Sequence, residues 1–385
     1  LDDSKVFRLL SDGNTVGIFQ LEGQGMTNWL KQLKPKRFED IAAMIALFRP
    51  GPIELIPEYI ARHHGKKPAT YLHPKLKPIL EETYGIGVYQ EQLLGIAKEL
   101  AGFTLGEADI LRRAIGKKIK KLLGEQKEKF IGGVEKTVGS KKLGETMWKL
   151  IEPFASYGFN KSHAVGYAMI AYQTAYLKCH YPLEFVAALM NAEAKDVERI
   201  AFLAEEAKRL GIKVMPPDVN TSENGFAVVS TKDKIINFGL ASIKNVGRNI
   251  VEIIIQERKT NGPFSSVIDL LERVSSRDLN KKSLESLIKA GALDSFGGGG
   301  RRELLDNLEN LLNIRRDAIK NKNGSQMALF SSKNFSKAAF APKTKEWVQA
   351  SLEEKLAWEK ELLGIYISGH PLDKYREKIK NQSLD

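Results

Sequence analysis

The stretch Phe154-Ala155-Ser156-Tyr157-Gly158-Phe159-Asn160-Lys161-Ser162-His163-Ala164 combines aromatic rings, a glycine and polar side chains. Apolar residues at helical spacing predict a helix over residues 141–154 before it and a long helix over residues 162–181 after it. Pro182 ends the long helix, because proline cannot continue one. The stretch therefore predicts a helical fold with a polar, aromatic turn between two helices.

The polar residues of this turn favour anion binding. Ser162 is expected to cap the long helix, so Lys161 and His163 lie beside a helix N-terminus, where anions are favoured. Tyr157 or Phe159 can stack on a base beside such a site. The alternative makes both rings part of the core and His163 a packing histidine. The turn as a whole argues against it, since a lysine and a histidine are costly to bury unpaired.

Outward from this turn, the pattern predicts a mainly α, multi-domain fold with a small β element near residues 212–238. At about 100–200 residues per domain, the length predicts two to four domains. Gly297 to Gly300 is expected to be a linker or a tight loop. Further helices are predicted over residues 38–48, 93–103, 109–121, 186–210 (two helices), 302–323 and 346–363. Strands are predicted over residues 212–215, 226–230 and 235–238, and a further strand is expected to start at 364–367.

Residues 111–149 are strongly basic, with twelve Lys or Arg against four Glu. On a helix, Arg113 and Lys117 lie four residues apart on one face, and Arg112 and Lys118 flank that face. Arg contacts phosphate oxygens with two parallel hydrogen bonds, and Lys acts as a point charge. The alternative is a solvated helix face without a partner, because charge runs are common on surfaces.

A proline-bracketed turn, Phe48-Arg49-Pro50-Gly51-Pro52, ends the helix predicted over residues 38–48. Two prolines around a glycine make a rigid turn, which would hold Arg49 in a fixed direction. A simple helix stop explains the same residues, and the turn by itself does not decide between the two.

The composition limits which binding partners and which cellular compartment are expected. The net charge of +12 and the pI of about 9.4 favour a polyanionic partner, although a basic, solvated surface explains them too. Cys179 is the one cysteine, which fits a reducing cytoplasm. No apolar run approaches the roughly 18–20 residues that span a bilayer, so no membrane is expected. The polar start without Met predicts an excised fragment rather than a secreted protein.

Five motifs occur in order along the first half of the chain. They are Gly17-Ile18-Phe19-Gln20-Leu21-Glu22-Gly23-Gln24-Gly25-Met26, Leu47-Phe48-Arg49-Pro50-Gly51-Pro52, Gly87-Val88-Tyr89-Gln90-Glu91-Gln92, Ala108-Asp109-Ile110-Leu111-Arg112-Arg113-Ala114-Ile115-Gly116-Lys117-Lys118 and Tyr157-Gly158-Phe159-Asn160-Lys161-Ser162-His163-Ala164. Together they resemble the fingers of bacterial DNA polymerase III alpha subunits. The resemblance extends from residue 1 to about residue 380.

This resemblance implies that the chain holds an incoming deoxynucleoside triphosphate (dNTP) and the template against a separate palm. It implies phosphate contacts by Arg49, Lys161 and His163, in a pocket that Asn160 and Ser162 shape. Positioned cations suit phosphoryl transfer, which builds charge on phosphate oxygens. The further residues that the resemblance brings to the triphosphate or to the nucleic-acid backbone are Arg112, Arg113, Lys117 and Lys118.

The same resemblance places the catalytic Mg²⁺ ions outside this chain, because the family holds them with palm aspartates. The 385 residues contain no Asp-x-Asp pair, whereas two-metal transfer needs carboxylates that hold ions about 3.5–4 Å apart. We therefore expect no metal ligand here and no polymerisation by the chain alone. Glu22, Glu91 and Asp109 are expected to be structural or to pair with the cations.

In the second half, residues 241–250 have the helix, short turn and helix of a helix-hairpin-helix, whose turn amides bind a backbone phosphate. Residues 284–296 contain a second possible hairpin. An ordinary helical corner capped by glycine is the alternative for each, and the pair favours duplex binding. The residues predicted to bind DNA are Lys244, Asn245, Gly247, Arg248, Lys289 and Gly291.

The segment Gln326-Met327-Ala328-Leu329-Phe330 lies where helical and strand periodicity are weak. An exposed Leu-Phe pair marks a docking site, and the segment resembles the family's motif for the sliding clamp. The alternative is that Leu329 and Phe330 pack on their own domain. The predicted clamp contacts are Gln326, Met327, Leu329 and Phe330.

The leading hypothesis is thus a replicative polymerase fragment whose partners are template-primer DNA, the sliding clamp and other replisome subunits. A non-catalytic helix-hairpin-helix adaptor that docks on a clamp is the alternative, and triphosphate binding would distinguish the two. The expected division is residues 1–195, fingers; 196–240, connecting helix and β segment; 241–323, tandem helix-hairpin-helix; 324–345, mobile segment with the clamp motif; and 346–385, lead into an oligonucleotide-binding barrel.

Overall fold

The computed structural model describes residues 1–116, 120–297, 300–323 and 349–375. It divides into two compact units, Leu1–His180 and Tyr181–Asp385. Helices dominate both units, and the sheet in the described residues has three short strands, so the predicted fold class is confirmed. Within these ranges no helix is both long and apolar enough to cross a membrane.

The first unit consists of helices joined by short turns. Its α-helices are α1 (Ser4–Ser11), α2 (Gln24–Leu33), α3 (Phe38–Leu47), α4 (Ile56–His63), α5 (Lys77–Leu80), α6 (Gln90–Ala101), α7 (Leu105–Gly116), α8 (Lys120–Val138), α9 (Lys141–Tyr157) and α10 (Lys161–His180).

Two apolar cores organise these helices. The first joins α1 to α4 with α10, around side chains such as Leu10, Met44 and Tyr172. The second joins α6 to α9, where the Phe130 ring lies between Phe103 and Trp148 at centroid distances of 6.2 and 5.9 Å. The turn between α9 and α10 connects the two cores.

Helix α10 confirms the predicted long helix, but its cap is a different residue. The helix begins at Lys161, and the Asn160 side chain accepts a hydrogen bond from the His163 backbone N–H at 2.8 Å. Asn160 therefore caps the helix, and the assignment of Ser162 as the cap was wrong. Asparagine and serine are about equally good caps, so the sequence left two adjacent candidates.

The basic segment is not a single helix over residues 109–121. Helix α7 ends at Gly116 and α8 begins at Lys120, with residues 117–119 outside the described ranges. Helix α8 was missed because three glycines lower its helix propensity. One of them is required by packing, since a Cβ at Gly133 would lie 2.2 Å from the Ala101 carbonyl oxygen of α6.

The second unit contains the predicted sheet, with strands in the order β1-β3-β2. Strand β1 (Lys213–Met215) pairs in parallel with β3 (Ile235–Asn237), and β2 (Ala227–Ser230) pairs antiparallel with β3. Its α-helices are α11 (Pro182–Ala192), α12 (Val197–Arg209), α13 (Arg248–Asn261), α14 (Val267–Arg273), α15 (Lys281–Lys289), α16 (Gly300–Asp306), α17 (Leu308–Asn323) and α18 (Leu352–Leu362).

The predicted helix over 302–323 is two helices, α16 and α17, with Asn307 between them. Asn307 is 3 % exposed, and its side-chain amide donates to the Glu303 carbonyl oxygen at 3.0 Å. Asparagine competes with the helix for backbone hydrogen bonds in this way. The charge pattern continues through Asn307, so periodicity alone does not reveal the break.

No strand begins at 364–367, contrary to the expectation. The backbone N–H groups of Ile367 and Ser368 donate to Glu359 Oε2 at 2.8 and 2.9 Å, so a carboxylate takes the place of a partner strand. Glu359 is fully buried and pairs with Arg301, which is 2 % exposed, at 3.2 Å. Arg301 also donates to the Lys289 carbonyl oxygen at 3.0 Å, and so it connects α16 and α18 to the end of α15.

Candidate nucleotide and nucleic-acid sites

Two of the five motifs meet through their backbones. The Phe159 N–H donates to the Val88 carbonyl oxygen at 2.9 Å, and the Gln90 N–H donates to the Phe159 carbonyl oxygen at 2.8 Å. The Gln90 side-chain amide also donates to the Gly158 carbonyl oxygen at 3.0 Å. The turn before α10 is therefore held against the start of α6.

Arg49 joins a third motif to this turn. Its guanidinium donates to the Tyr157 carbonyl oxygen at 2.6 Å and to the Ala46 carbonyl oxygen at 2.8 Å, and it lies 4.4 Å from the centre of the Phe159 ring. Burial lowers the pKa of the Arg49 guanidinium from its ordinary value. The proline-bracketed turn thus directs Arg49 at the turn before α10, and the cation is fixed by two backbone carbonyls.

The first motif reaches the same region. The Phe19 ring lies 5.2 Å from the Tyr167 ring of α10, and the Phe19 N–H donates to the Thr174 hydroxyl at 3.2 Å. A Cβ at Gly25 would lie 2.9 Å from the Phe48 ring, so glycine permits the close approach of α2 to the end of α3. The first motif therefore packs against α10 and against Phe48, next to Arg49.

Lys161 is half-buried and paired. Its ammonium group lies 2.5 Å from Glu82 Oε2 and 5.7 Å from the centre of the Tyr89 ring. Its backbone N–H donates to Glu91 Oε2 at 2.9 Å, which makes Glu91 structural, as expected. Glu82 belongs to none of the five motifs, and its separation of 79 residues from Lys161 left no signal in the sequence.

His163 lies between two aromatic rings at the exposed start of α10. Its ring centroid is 4.2 Å from Tyr167 and 5.4 Å from Phe159. The packing-histidine alternative describes these contacts, while the exposure of His163 leaves its ring nitrogens accessible. Ser162 is exposed beside it.

Arg112 and Arg113 share one carboxylate on their own helix. Arg112 donates to Asp109 Oδ1 at 2.7 Å, and Arg113 lies 2.6 Å from Asp109 Oδ2. The hydrogen bond from Arg112 lowers the pKa of the Asp109 carboxyl. Arg112 also donates to the Gln90 side chain at 3.4 Å, which brings the fourth motif to the same turn.

The arrangement is a cluster of cations, three of which already pair with carboxylates. Lys161 has Glu82, and the two arginines of α7 have Asp109, so an arriving phosphate would exchange with these carboxylates. Such exchange costs little, because partly exposed ion pairs are worth about 0–1 kcal/mol. The cluster therefore has the chemistry to bind an anion.

Among its described residues, the cluster has no group of three metal-binding side chains. In the part of the chain that the structure describes, no three His, Cys, Asp or Glu side chains are grouped so as to hold a metal ion.

The first predicted hairpin does not consist of two α-helices around a turn. A 3₁₀ turn at Leu240–Ser242 takes the place of its first helix, and α13 begins after Gly247 without a capping side chain among the described residues. Its first amides are consequently open to a phosphate. Lys244 and Arg248 are exposed on either side of the turn, as a backbone contact requires.

Asn245 lies at the centre of this hairpin with a left-handed φ of 69°. Its side-chain amide donates to the Ser286 hydroxyl of α15 at 3.2 Å, and the Lys244 N–H donates to the Leu362 carbonyl oxygen at 3.0 Å. The turn is therefore supported by α15 and by the end of α18. Asn245 shapes the hairpin through its contact with Ser286.

The second predicted hairpin is the capped C-terminal end of α15. Gly291 has a φ of 84°, its N–H donates to the Ile288 carbonyl oxygen at 3.0 Å, and the Ala292 N–H donates to that of Leu287 at 2.9 Å. These bonds form the Schellman cap of α15 and occupy both amides. Lys289 pairs with Glu285 at 2.6 Å. The glycine-capped corner describes this turn, and phosphate contacts at Lys289 and Gly291 remain a prediction.

Two groups of predicted site residues fall outside the described ranges. The first lies at the end of the basic motif and the second in the clamp segment. They are Lys117, Lys118, Gln326, Met327, Leu329 and Phe330.

Two protein-family models match the chain. The family model of the bacterial DNA polymerase III alpha subunit finger domain matches residues 1–138, and a helix-hairpin-helix model matches residues 211–304. The second match covers both predicted hairpins.

Relatives match almost the whole chain. DNA polymerase III subunit alpha of Thermus aquaticus is 46 % identical over 97 % of the chain and 30 % of its own length. Those of Aquifex aeolicus and Campylobacter jejuni are 45 % and 44 % identical over 99 % and 98 % of the chain, and over 31 % and 32 % of their own lengths. The chain thus spans about a third of these relatives. It belongs to the family of bacterial DNA polymerase III alpha subunits.

Proposed function

We propose that this chain is the nucleotide- and DNA-binding part of a DNA-directed DNA polymerase that replicates DNA. It binds template-primer DNA, helps to hold the incoming dNTP and docks on a sliding clamp. The observation that carries the proposal is identity of 44–46 % to polymerase III alpha subunits across 97–99 % of the chain. The contacts among the motifs support it: the second and third contact the turn before α10, the fourth contacts Gln90 of the third, and the first packs on α10.

The dNTP site that we propose is the cluster around the turn before α10. Lys161, Arg112 and Arg113 exchange their carboxylates for phosphate oxygens, and His163 presents an accessible ring beside them. Arg49 holds the turn through the Tyr157 carbonyl oxygen, so its first task is to fix the position of Lys161 and its neighbours. Asn160 has the same task through its cap on α10.

The DNA contact that we propose is the first hairpin. The open amides at the start of α13, with Lys244 and Arg248, receive one backbone phosphate and its neighbour, independently of sequence. Asn245 and Gly247 give the turn its shape. Clamp docking through residues 326–330, association with other replisome subunits and a cytoplasmic location belong to the same proposal and rest on the sequence alone.

We propose that the Mg²⁺ ligands of the polymerase lie in a part of the protein other than these residues, as the resemblance to polymerase III alpha subunits implies. The chain by itself is expected to bind nucleotide and DNA without extending a primer.

The test of the dNTP site is equilibrium binding of a labelled dNTP to the full chain, with and without template-primer DNA. We expect saturable binding that inorganic triphosphate competes away, because the contacts are to phosphates. A helix-hairpin-helix adaptor has no need of such a site. Folded chain that binds DNA but no dNTP would therefore favour the adaptor.

A further inference from the structure

Gln90, the first residue of α6, lies between the turn before α10 and the arginines of α7. Its backbone N–H donates to the Phe159 carbonyl oxygen at 2.8 Å, and its side-chain amide donates to the Gly158 carbonyl oxygen at 3.0 Å. On the other side, its side-chain oxygen accepts a hydrogen bond from Arg112 Nη1 at 3.4 Å. Gln90 therefore connects two elements that carry different cations of the proposed dNTP site.

The two side-chain contacts together require a primary amide. A carbonyl oxygen only accepts and a guanidinium only donates, so the side chain between Gly158 and Arg112 must have a donor and an acceptor. These partners also fix the orientation of the Gln90 amide, because the flipped amide would place donor against donor and acceptor against acceptor. Glutamate lacks the donor, and methionine, of similar length, lacks both groups.

The bond to Gln90 matters because the proposed dNTP site requires Arg112 to give up its carboxylate. Arg112 donates to Asp109 Oδ1 through Nε at 2.9 Å and through Nη2 at 2.7 Å. Gln90 binds the third nitrogen, Nη1, so its bond does not have to break when a phosphate oxygen replaces Asp109. Arg112 thus keeps its direction toward the turn while its partner changes.

Arg113 provides the comparison on the same helix. It pairs with the same carboxylate, Asp109, at 2.6 Å, and its side chain is 64 % exposed, compared with 30 % for Arg112. Among the described residues, Arg113 makes no hydrogen bond or ion pair with α6 or with the turn before α10. The two arginines have the same charge and share one carboxylate, and they differ in the bond to Gln90.

We propose that Gln90 is a positioning residue that holds Arg112 against the turn before α10, so that Arg112 and Lys161 contact the phosphates of one dNTP together. The inference rests on the proposed dNTP site and adds a residue that does not itself touch the nucleotide. It predicts energetic coupling between Gln90 and Arg112 in dNTP binding, and no coupling between Gln90 and Arg113.

The test is equilibrium binding of a labelled dNTP to the full chain and to its single and double variants. We expect Gln90→Met to weaken binding about 2- to 12-fold, the range for one hydrogen bond. In Arg112→Ala the same substitution should have an effect at least about twofold smaller, because the residue that Gln90 positions is gone. In Arg113→Ala it should have its full effect.

A second comparison leaves Gln90 in place. Arg112→Lys keeps the charge but has one nitrogen instead of three, so it should weaken dNTP binding more than Arg113→Lys does. Gln173→Met is the matched control for Gln90→Met, because Gln173 is an exposed glutamine of α10. Circular dichroism checks that each variant is folded.

The outcomes separate the positioning role from the site itself. A merely structural role of Gln90 would weaken binding by the same factor in both arginine backgrounds. That result, wild-type affinity in Gln90→Met, or an Arg113→Lys that loses as much as Arg112→Lys, would overturn the positioning role and leave the dNTP site standing. A folded wild-type chain that binds no dNTP would overturn both.

Discussion

At the scale of single residues, three cations of the cluster pair with carboxylates. One of these carboxylates can be predicted from the sequence and the other cannot. Asp109 lies within one helical turn of Arg112 and Arg113, so the sequence predicts it as their partner. Glu82 lies 79 residues from Lys161, and only the fold brings them together. The sequence thus predicts which cations are present and does not predict which of them are paired.

The pairing of Lys161 leads to a prediction for Glu82→Gln. Loss of the carboxylate releases Lys161 for phosphate, so we expect dNTP affinity to rise about 1.4- to 5-fold, since partly exposed ion pairs are worth about 0.2–1 kcal/mol. Equilibrium binding of a labelled dNTP measures it. Glu58→Gln is the control, because Glu58 is similarly exposed and pairs with Lys67 and Arg62 instead. Unchanged or weaker dNTP binding in Glu82→Gln would count against Lys161 as a phosphate contact.

Asn245 offers a second residue-scale prediction. If Asn245 acts by shaping the hairpin, Asn245→Gly and Ser286→Ala should each weaken duplex binding about two- to tenfold, and the double variant should be no worse, since one hydrogen bond of about 0.5–1.5 kcal/mol is lost in each. Ser286 is 4 % exposed and has no access to DNA. Duplex titrations of the three variants measure it.

The opposite pattern is equally informative. Wild-type binding by Ser286→Ala, together with a loss in Asn245→Gly, would show that Asn245 contacts the DNA directly.

At the scale of elements, the sequence predicted helices with clean apolar spacing and missed those interrupted by glycine or asparagine. Helices α3, α10 and α12 lie close to their predicted positions because their apolar faces pack on a core. Helix α8 contains three glycines, one of which packing requires, and α16 and α17 are separated at Asn307 by a side-chain hydrogen bond. The first cause is a contact between α8 and α6 and the second is a local hydrogen bond, and apolar periodicity reveals neither.

Helix α8 gives a pair of predictions with opposite signs. Gly133→Ala places a Cβ against the Ala101 carbonyl oxygen, and we expect the free energy of unfolding to fall by about 1–3 kcal/mol, as overpacking does. Gly132→Ala meets no atom within 4 Å and should raise it by up to about 1 kcal/mol through helix propensity. Thermal or urea unfolding of the two variants tests this, and a stable Gly133→Ala would contradict the close packing of α8 on α6.

The clamp segment belongs to this scale too. The double variant Leu329→Ala with Phe330→Ala should abolish binding of a purified bacterial sliding clamp, because the two apolar side chains are expected to fill its pocket. A free peptide of residues 326–330 should compete with the wild-type chain. Ser331→Ala with Ser332→Ala is the control in the same segment. Unchanged clamp affinity in the Leu-Phe variant would remove the docking assignment.

At the scale of the whole molecule, the net charge of +12 follows directly from the composition. Two cations at the first hairpin predict a slope of log K against log salt of about −1.8 or steeper for duplex DNA, from about −0.9 per phosphate. Replacing Lys244 and Arg248 by Ala should reduce that slope by about 1.8. Duplex binding that is insensitive to salt would exclude backbone contacts as its source.

Helix α18 is separated from α17 by residues 324–351 in sequence, and yet it is joined to the rest of the second unit. It carries Glu359, whose buried pairing with Arg301 reaches α16, and its last residue accepts the hydrogen bond of the Lys244 N–H. A protease cut anywhere between residues 324 and 348 would therefore break the chain without separating the pieces. We expect the two fragments to co-elute from a sizing column in native buffer and to come apart only in denaturant.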